Sequence, residues 1–265
     1  MGVTSSYDPS RNASSLAGFV RRHDPDRFLT ALFAPPAKRE ALFALYAFNH
    51  ELARARETAS EAPLALIRLQ WWREVVEGGH RRHEIAEPLS AAIDAGALRR
   101  GDLLGIIDAR EVETAPAIET SREWHDFLRA GAGGLAVAAA RLLGAPDPEE
   151  FRPFGTAFGL AGLLRSVGAH ARQGRCLLPL DALARHNVLP DQIVADPETA
   201  LSAVTELARE GLALLRHTRL PRPVVAAALP AVLARRDLRR APLFSRPRGA
   251  GDRLAVIKAG LTGRI

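Results

Sequence analysis

Arg165, Arg172 and Arg175 stand close together in the stretch GLLRSVGAHARQGRCLLP. Guanidinium groups hold phosphate oxygens bidentately without a metal, so this cluster is a candidate anion site. The alternative is ion pairing at a helix end near Gly174. Asp108, Glu111 and Glu113, in IIDAREVET, form an acidic group. If Asp108 and Glu111 point inward, they would pair with the arginines, as an unpaired buried charge costs several kcal/mol. If they point outward, they form a solvated face. Asn49, His50 and Glu51, in FNHELARARE, offer a polar contact inside a bundle, for which a hydrogen-bonded core Asn suffices. His80 and His83 have i, i+3 spacing but adjoin Gly78–Gly79 and two arginines, and a flexible loop is expected there rather than a metal site. Trp71 and Trp72 read mainly as core packing, with at most one at the surface, and His125 beside Trp124 suggests no separate chemistry. The single Cys176 excludes an internal disulfide and a Cys-based zinc site. In the apolar run CLLPL it reads as a small buried hydrophobe.

Helices must position these groups. Ala, Leu and Arg dominate, whereas Val, Ile, Thr and Tyr are sparse, which favours helix throughout. In APPAKREALFALYAFNHELARARE, Leu42, Leu45, Tyr46 and Asn49 share one helical face. APLALIRLQWWREVVEGG opens on Pro63 and stops at Gly78–Gly79. Further helices are predicted over Leu16–Arg22, Asp26–Phe33, Leu89–Ala95, the ALRRGDLLGIIDAREVET stretch, Ser121–Leu143, Glu149–Arg172, LPLDALARHNVLPDQI, Pro197–His217, Pro221–Arg239 and Asp252–Leu261. No alternating strand pattern competes. The expectation is an all-α chain, a single-domain bundle of roughly ten helices over 16–265, preceded by a disordered polar tail over 1–15.

The 265 residues are 47% hydrophobic and 25% charged, enough for a core that needs no staples. Thirty-six basic against 30 acidic residues leave a formal charge of +6. Much of the excess lies in ARRDLRRAPLFSRPRGAGDR, which reads as a solvated face or as a contact for an anionic membrane surface or an acidic partner. Nucleic acid is not expected, since no recognition motif is present and aromatic residues are few. No apolar run reaches the ~18–20 residues of a membrane span, and LAVAAARLLGA is interrupted by Arg141. The polar N-terminus lacks the apolar core of a secretory signal. A cytoplasmic location is expected, with peripheral attachment to the inner membrane as an extension.

KREALFALYAF, RLQWWREVV, AGAGGLAVAAARLLG, GLLRSVGAHARQGRCLLP and ALPAVLARRDLRR, in this order, resemble the squalene/phytoene synthase family. The resemblance spans roughly residues 25–262 and implies the helical bundle of the isoprenoid synthases. Enzymes of this family join two prenyl diphosphates head to head. Two Asp-rich motifs face each other across a cavity and hold Mg²⁺, a hard ion that takes oxygen ligands. On this sequence the first motif falls on Ala53, Arg54 and Glu57, and the second on Ser166 and His170. One acid remains, and Arg54 puts a cation where a metal ligand is expected and joins the candidate anion-binding arginines. Glu57 with His170 is a thin basis for a transition-metal site. The resemblance therefore implies no catalytic residue, no metal and no cofactor, with Mg²⁺ only if the chain is an enzyme after all.

FALYAFNHELARARE and IRLQWWREVVE are similar to one branch of the family, which includes a mitochondrial assembly factor of respiratory complex I and its bacterial relatives. That branch carries AFN-x-EL and lacks the aspartates. The expectation is a pseudo-enzyme that supports complex I assembly, with complex I subunits or assembly factors as partners and an isoprenoid-like or lipid ligand. One alternative is an active head-to-head prenyl transferase of isoprenoid biosynthesis. Another is a scaffold on an anionic membrane surface.

Overall fold

Proline and glycine punctuation sets most of the helix ends. The computed structural model describes residues 9–57, 62–241 and 247–265, with side chains described over 16–56, 62–241 and 247–265. In chain order the helices are α1 (Pro9–His23), α2 (Pro25–Ala31), α3 (Pro36–Glu57), α4 (Ala62–Glu77), α5 (Ala86–Asp94), α6 (Arg100–Glu111), α7 (Ser121–Ala130) and α8 (Ala132–Leu143). They continue with α9 (Arg152–Arg165), α10 (Val167–Arg172), α11 (Leu180–Arg185), α12 (Pro190–Ala195), α13 (Leu201–Ala213), α14 (Pro230–Arg240) and α15 (Ala250–Thr262). Among the described residues there is no strand, only an isolated bridge between Arg219 and Arg264. Of the expected tail, residues 1–8 lie outside the described residues, while helical backbone already runs from Pro9.

The helices are more numerous than roughly ten because three predicted helices divide, one of them LPLDALARHNVLPDQI, which separates into α11 and α12 around Asn187 at φ 56°. Ser121–Leu143 breaks at Gly131, whose φ of −75° and ψ of −82° are not helical. Glu149–Arg172 opens with a 3₁₀ turn, Pro148–Phe151, and breaks again at Ser166, with φ −94° and ψ 3°. Pro197–His217 likewise starts as a 3₁₀ turn over Pro197–Ala200 before α13. The helix expected from Pro221 starts only at Pro230, which suits the first turn because its missing N–H has no helical partner there. Local caps reinforce several starts. Asp24 accepts from the Arg27 backbone N–H at 2.9 Å to open α2, and Thr120 accepts from Glu123 N–H at 3.1 Å to open α7. His83, in the loop before α5, accepts from the Ile85 N–H through Nδ1 at 3.1 Å, so it organises a helix start.

The buried side chains form two clusters. One holds Phe48, Leu52, Trp72, Leu103, Ile107 and Leu135, drawn from α3, α4, α6 and α8. The other holds Trp124, Leu128, Leu160, Leu183, Val204 and Leu207, drawn from α7, α9, α11 and α13. Trp72 is buried in the first, and Trp71 is only partly covered. The α8–α9 crossing joins the two sides. A Cβ on Gly155 would run into the Ala132 carbonyl and stand 2.6 Å from Ala136 Cβ. The small residues of AGAGGLAVAAARLLG thus let two backbones approach more closely than larger side chains allow.

Candidate functional site

Between the clusters lies a cavity of about 250 Å³. Its wall takes Asp24 and Arg27 from the start of α2, Asn49, His50 and Ala53 from α3, and Arg110 from α6, with Glu113 just beyond. The breaks at Gly131 and Ser166 turn α7–α8 and α9–α10 around it, bringing in Phe127, Leu128, Phe158, Gly159, Ser166 and His170. The apolar side of the wall therefore comes from α7 and α9, and the polar side from α2, α3, α6 and α10.

The ions of the wall are matched to one another. Arg27 Nη1 lies 2.7 Å from Asp24 Oδ2, and its guanidinium sits over the Phe158 ring at 4.9 Å. Arg110 Nη1 lies 3.0 Å from Glu113 Oε1 and Nη2 donates to Asn49 Oδ1 at 3.2 Å. Asn49 and Glu113 are both buried. Asn49 is thus the hydrogen-bonded core residue expected from its place on the α3 face. The Glu113 carbonyl accepts from Arg175 Nη2 at 2.9 Å, which ties the chain after α10 to the end of α6. Two acids and two arginines cancel at the wall, and His50 and His170 supply no charge at neutral pH. Burial, then His23 and Arg54, lowers the His50 pKa to about 4 against the opposing pull of Asp24. Burial and the Arg175 charge lower that of His170 to about 4. His50 Nε2 and Arg110 Nε are buried at this wall with no protein partner among the described residues.

The depressed histidines have a measurable consequence. The unfolded pKa is about 6.5, so between pH 6.5 and 4 the unfolded chain binds more protons than the folded one. The contribution of neutral His50 and His170 is full above pH 6.5 and falls as pH drops toward 4. A loss of about 2 kcal/mol per histidine is expected, allowing for partial solvent access. Urea unfolding at a series of pH values should show this slope, and it should flatten in His50→Gln/His170→Gln. An unchanged slope in that variant would assign the loss to carboxylates elsewhere.

The structure brings together three of the five motif positions: Ala53, Ser166 and His170 line the cavity. Arg54 lies beside Glu51 at 3.8 Å, half-exposed, and the side chain of Glu57 lies outside the described residues. None of Arg54, Arg165, Arg172 and Arg175 belongs to the wall. Arg165 instead faces Asp237 on α14 at 3.5 Å, and Arg172 is exposed. Asp108 and Glu111 do not reach those arginines either. They turn outward to Arg73 on α4, at 2.7 and 2.8 Å, leaving Glu113 as the member of the acidic group that points in. His125 pairs with Glu210 at 2.8 Å, and Cys176 is partly buried with burial raising its pKa. Among the described residues no group of three or more His, Cys, Asp or Glu side chains could hold a metal ion. Three arginines of the basic run are taken up internally, while Arg239 and Arg253 stay exposed. Arg236 and Arg240 hold Asp252 at 2.6 and 2.9 Å, and Arg248 holds Asp26 and Asp237. Its residues 242–246 lie outside the described residues.

Sequence reasoning passed over Asp24, Arg27 and Arg110. Their local signals were present: an Asp-Pro-Asp-Arg helix start, and an Arg three residues before Glu113. What was not legible was that both pairs face the same space.

An all-α bundle with such a cavity between its halves has the isoprenoid-synthase architecture. The chain superposes on a dehydrosqualene synthase in complex with ligand with a TM-score of 0.70, covering 95% of this chain and 96% of that one at 16% identity. It superposes on a squalene synthase from Alicyclobacillus acidocaldarius with a TM-score of 0.66, covering 87% and 92% at 18% identity. The squalene/phytoene synthase family profile matches residues 20–242, and the chain belongs to that family. It is similar to NADH dehydrogenase (ubiquinone) complex I, assembly factor 6, with 27% identity to the Mus musculus protein over 225 residues and 25% to that of Homo sapiens. In both cases the match covers 81% of this chain and 68% of the relative. It is also 30% identical over 245 residues to phytoene synthase from Thermus thermophilus, covering 86% and 82%.

Proposed function

We propose that this protein is a non-catalytic member of its family that supports assembly of respiratory complex I, with the cavity kept as a binding pocket. The observation that carries this reading is the chemistry of the wall. Ala53, Ser166 and His170 stand where the family resemblance puts Mg²⁺ ligands, and none offers a carboxylate. The two wall acids are held by Arg27 and Arg110. These groups do not fit a Mg²⁺–diphosphate, which needs several free oxygen ligands around a hard cation. A cavity of roughly 150 Å³ takes one benzene ring, so about 250 Å³ has room for a small head group or a short apolar chain. The charge-balanced polar side of the wall suits an uncharged head, and Phe127, Leu128 and Phe158 suit an isoprenoid-like segment attached to it. The similarity to proteins named complex I assembly factor 6 supports the assembly role.

The test is turnover. Purified protein incubated with labelled farnesyl diphosphate, with and without Mg²⁺ and NADPH, should release no diphosphate and yield no condensed product. Turnover by the natural sequence would overturn the reading in favour of an active prenyl transferase. A strain lacking the gene should contain less assembled complex I, restored by the unaltered gene.

A further inference from the structure

The last helix carries an apolar ridge on its solvent side. Within α15, Asp252, Val256, Ala259 and Gly260 are buried. Leu254, Ile257 and Leu261 have the i, i+3, i+7 spacing of one helical face, opposite that buried face, and are 63%, 37% and 61% exposed. Folding does not bury these three side chains, so the core does not account for their type. The exposed positions Arg253 and Lys258 flank the ridge on either side. Exposed Arg264 follows the helix, and the Arg219–Arg264 bridge adds exposed Arg219 at that end. Asp252 is the one acid of α15, and Arg236 and Arg240 hold it on the core side. The outward face thus combines apolar side chains with cations and presents no carboxylate of its own.

The helix is fixed to the body. Gly260 packs against the Phe33 ring so closely that a Cβ there would collide with it. Gly263 ends the helix at φ 72°, and Leu220 N–H donates to the Gly263 carbonyl at 2.8 Å. No helix among the described residues is long and apolar enough to cross a membrane. An apolar ridge with a basic rim on a rigid surface helix matches the physics of a helix lying in a lipid interface, where side chains enter the acyl boundary and cations meet anionic headgroups.

We propose that α15 docks this protein on an anionic lipid surface, with Leu254, Ile257 and Leu261 entering the headgroup–acyl boundary and Arg253 and Lys258 meeting lipid phosphates. This docking does not depend on what the cavity binds. The test is sedimentation of the full chain with vesicles of phosphatidylcholine alone and of phosphatidylcholine mixed with phosphatidylglycerol. The protein is expected to pellet with the anionic vesicles, less so as salt rises. Leu254→Ser/Ile257→Ser/Leu261→Ser and Arg253→Glu/Lys258→Glu are each expected to lower partitioning about tenfold or more, with circular dichroism and melting temperature unchanged. No pelleting with anionic vesicles, or pelleting equal in all three proteins, would overturn the proposal. So would a dimer that the serine variant splits while no protein binds vesicles, which would assign the ridge to a second copy of the chain.

Discussion

Arg110→Leu is expected to lower the unfolding free energy by about 3–5 kcal/mol, the cost of removing one partner from a buried ion pair. Glu113 is 7% exposed, and its carboxylate has Arg110 as its ion-pair partner at 3.0 Å. The substitution also removes the donor to Asn49 Oδ1. Two buried acceptors would then face an apolar side chain. Arg110→Leu/Glu113→Leu should recover most of the loss, as apolar replacement of a whole buried pair is often neutral. A urea-unfolding double-mutant cycle at neutral pH measures this. A single-variant loss below about 1 kcal/mol would mean that the pair is solvated like a surface one. The same residue closes the cavity's charge balance, so the variant leaves a net negative wall. In a chain whose cavity binds an uncharged head, that change should weaken ligand capture even in the surviving folded fraction.

Trp124→Ala should cost a similar 3–5 kcal/mol, which for a chain of this size lowers the melting temperature by about 10 °C. The indole is fully buried among the second cluster, and its Nε1 donates to the Leu177 carbonyl at 2.9 Å. The bond pins α7 to the chain that follows α10, a few residues from His170 and Arg175. Trp124→Phe keeps most of the packing and isolates the hydrogen bond, for which a loss of about 1–3 kcal/mol is expected because the carbonyl stays buried. Thermal unfolding of the two variants separates packing from hydrogen bonding. A Trp124→Phe variant as stable as the natural protein would show that the indole N–H contributes nothing beyond volume, whereas equal losses in both would assign the whole effect to the hydrogen bond that both lack.

The helical class, the single bundle and the order of its parts were present in the sequence because they follow from local rules. Leu42, Leu45, Tyr46 and Asn49 share a face by spacing alone, and Pro36, Pro63 and Gly78 act on neighbouring backbone. That Ala53, Ser166 and His170 carry no carboxylate was equally legible, since it concerns residue type at a position. Tertiary packing decided the rest. Periodicity runs straight through Gly131 and Ser166, yet the chain breaks there, where α7–α8 and α9–α10 bend around the cavity. Asp108, Glu111 and Glu113 look alike in sequence. Helix rotation gives the first two to Arg73 in solvent and buries the third against Arg110. The basic C-terminal stretch reads as a charged surface, but Asp252, Asp237 and Asp26 draw Arg236, Arg240 and Arg248 inward, leaving the exposed charge on α15 to Arg253 and Lys258. Local propensity depends on a few neighbours along the chain. The partner of a charge depends on which helix packs beside it, and that choice is made by the cores as a whole.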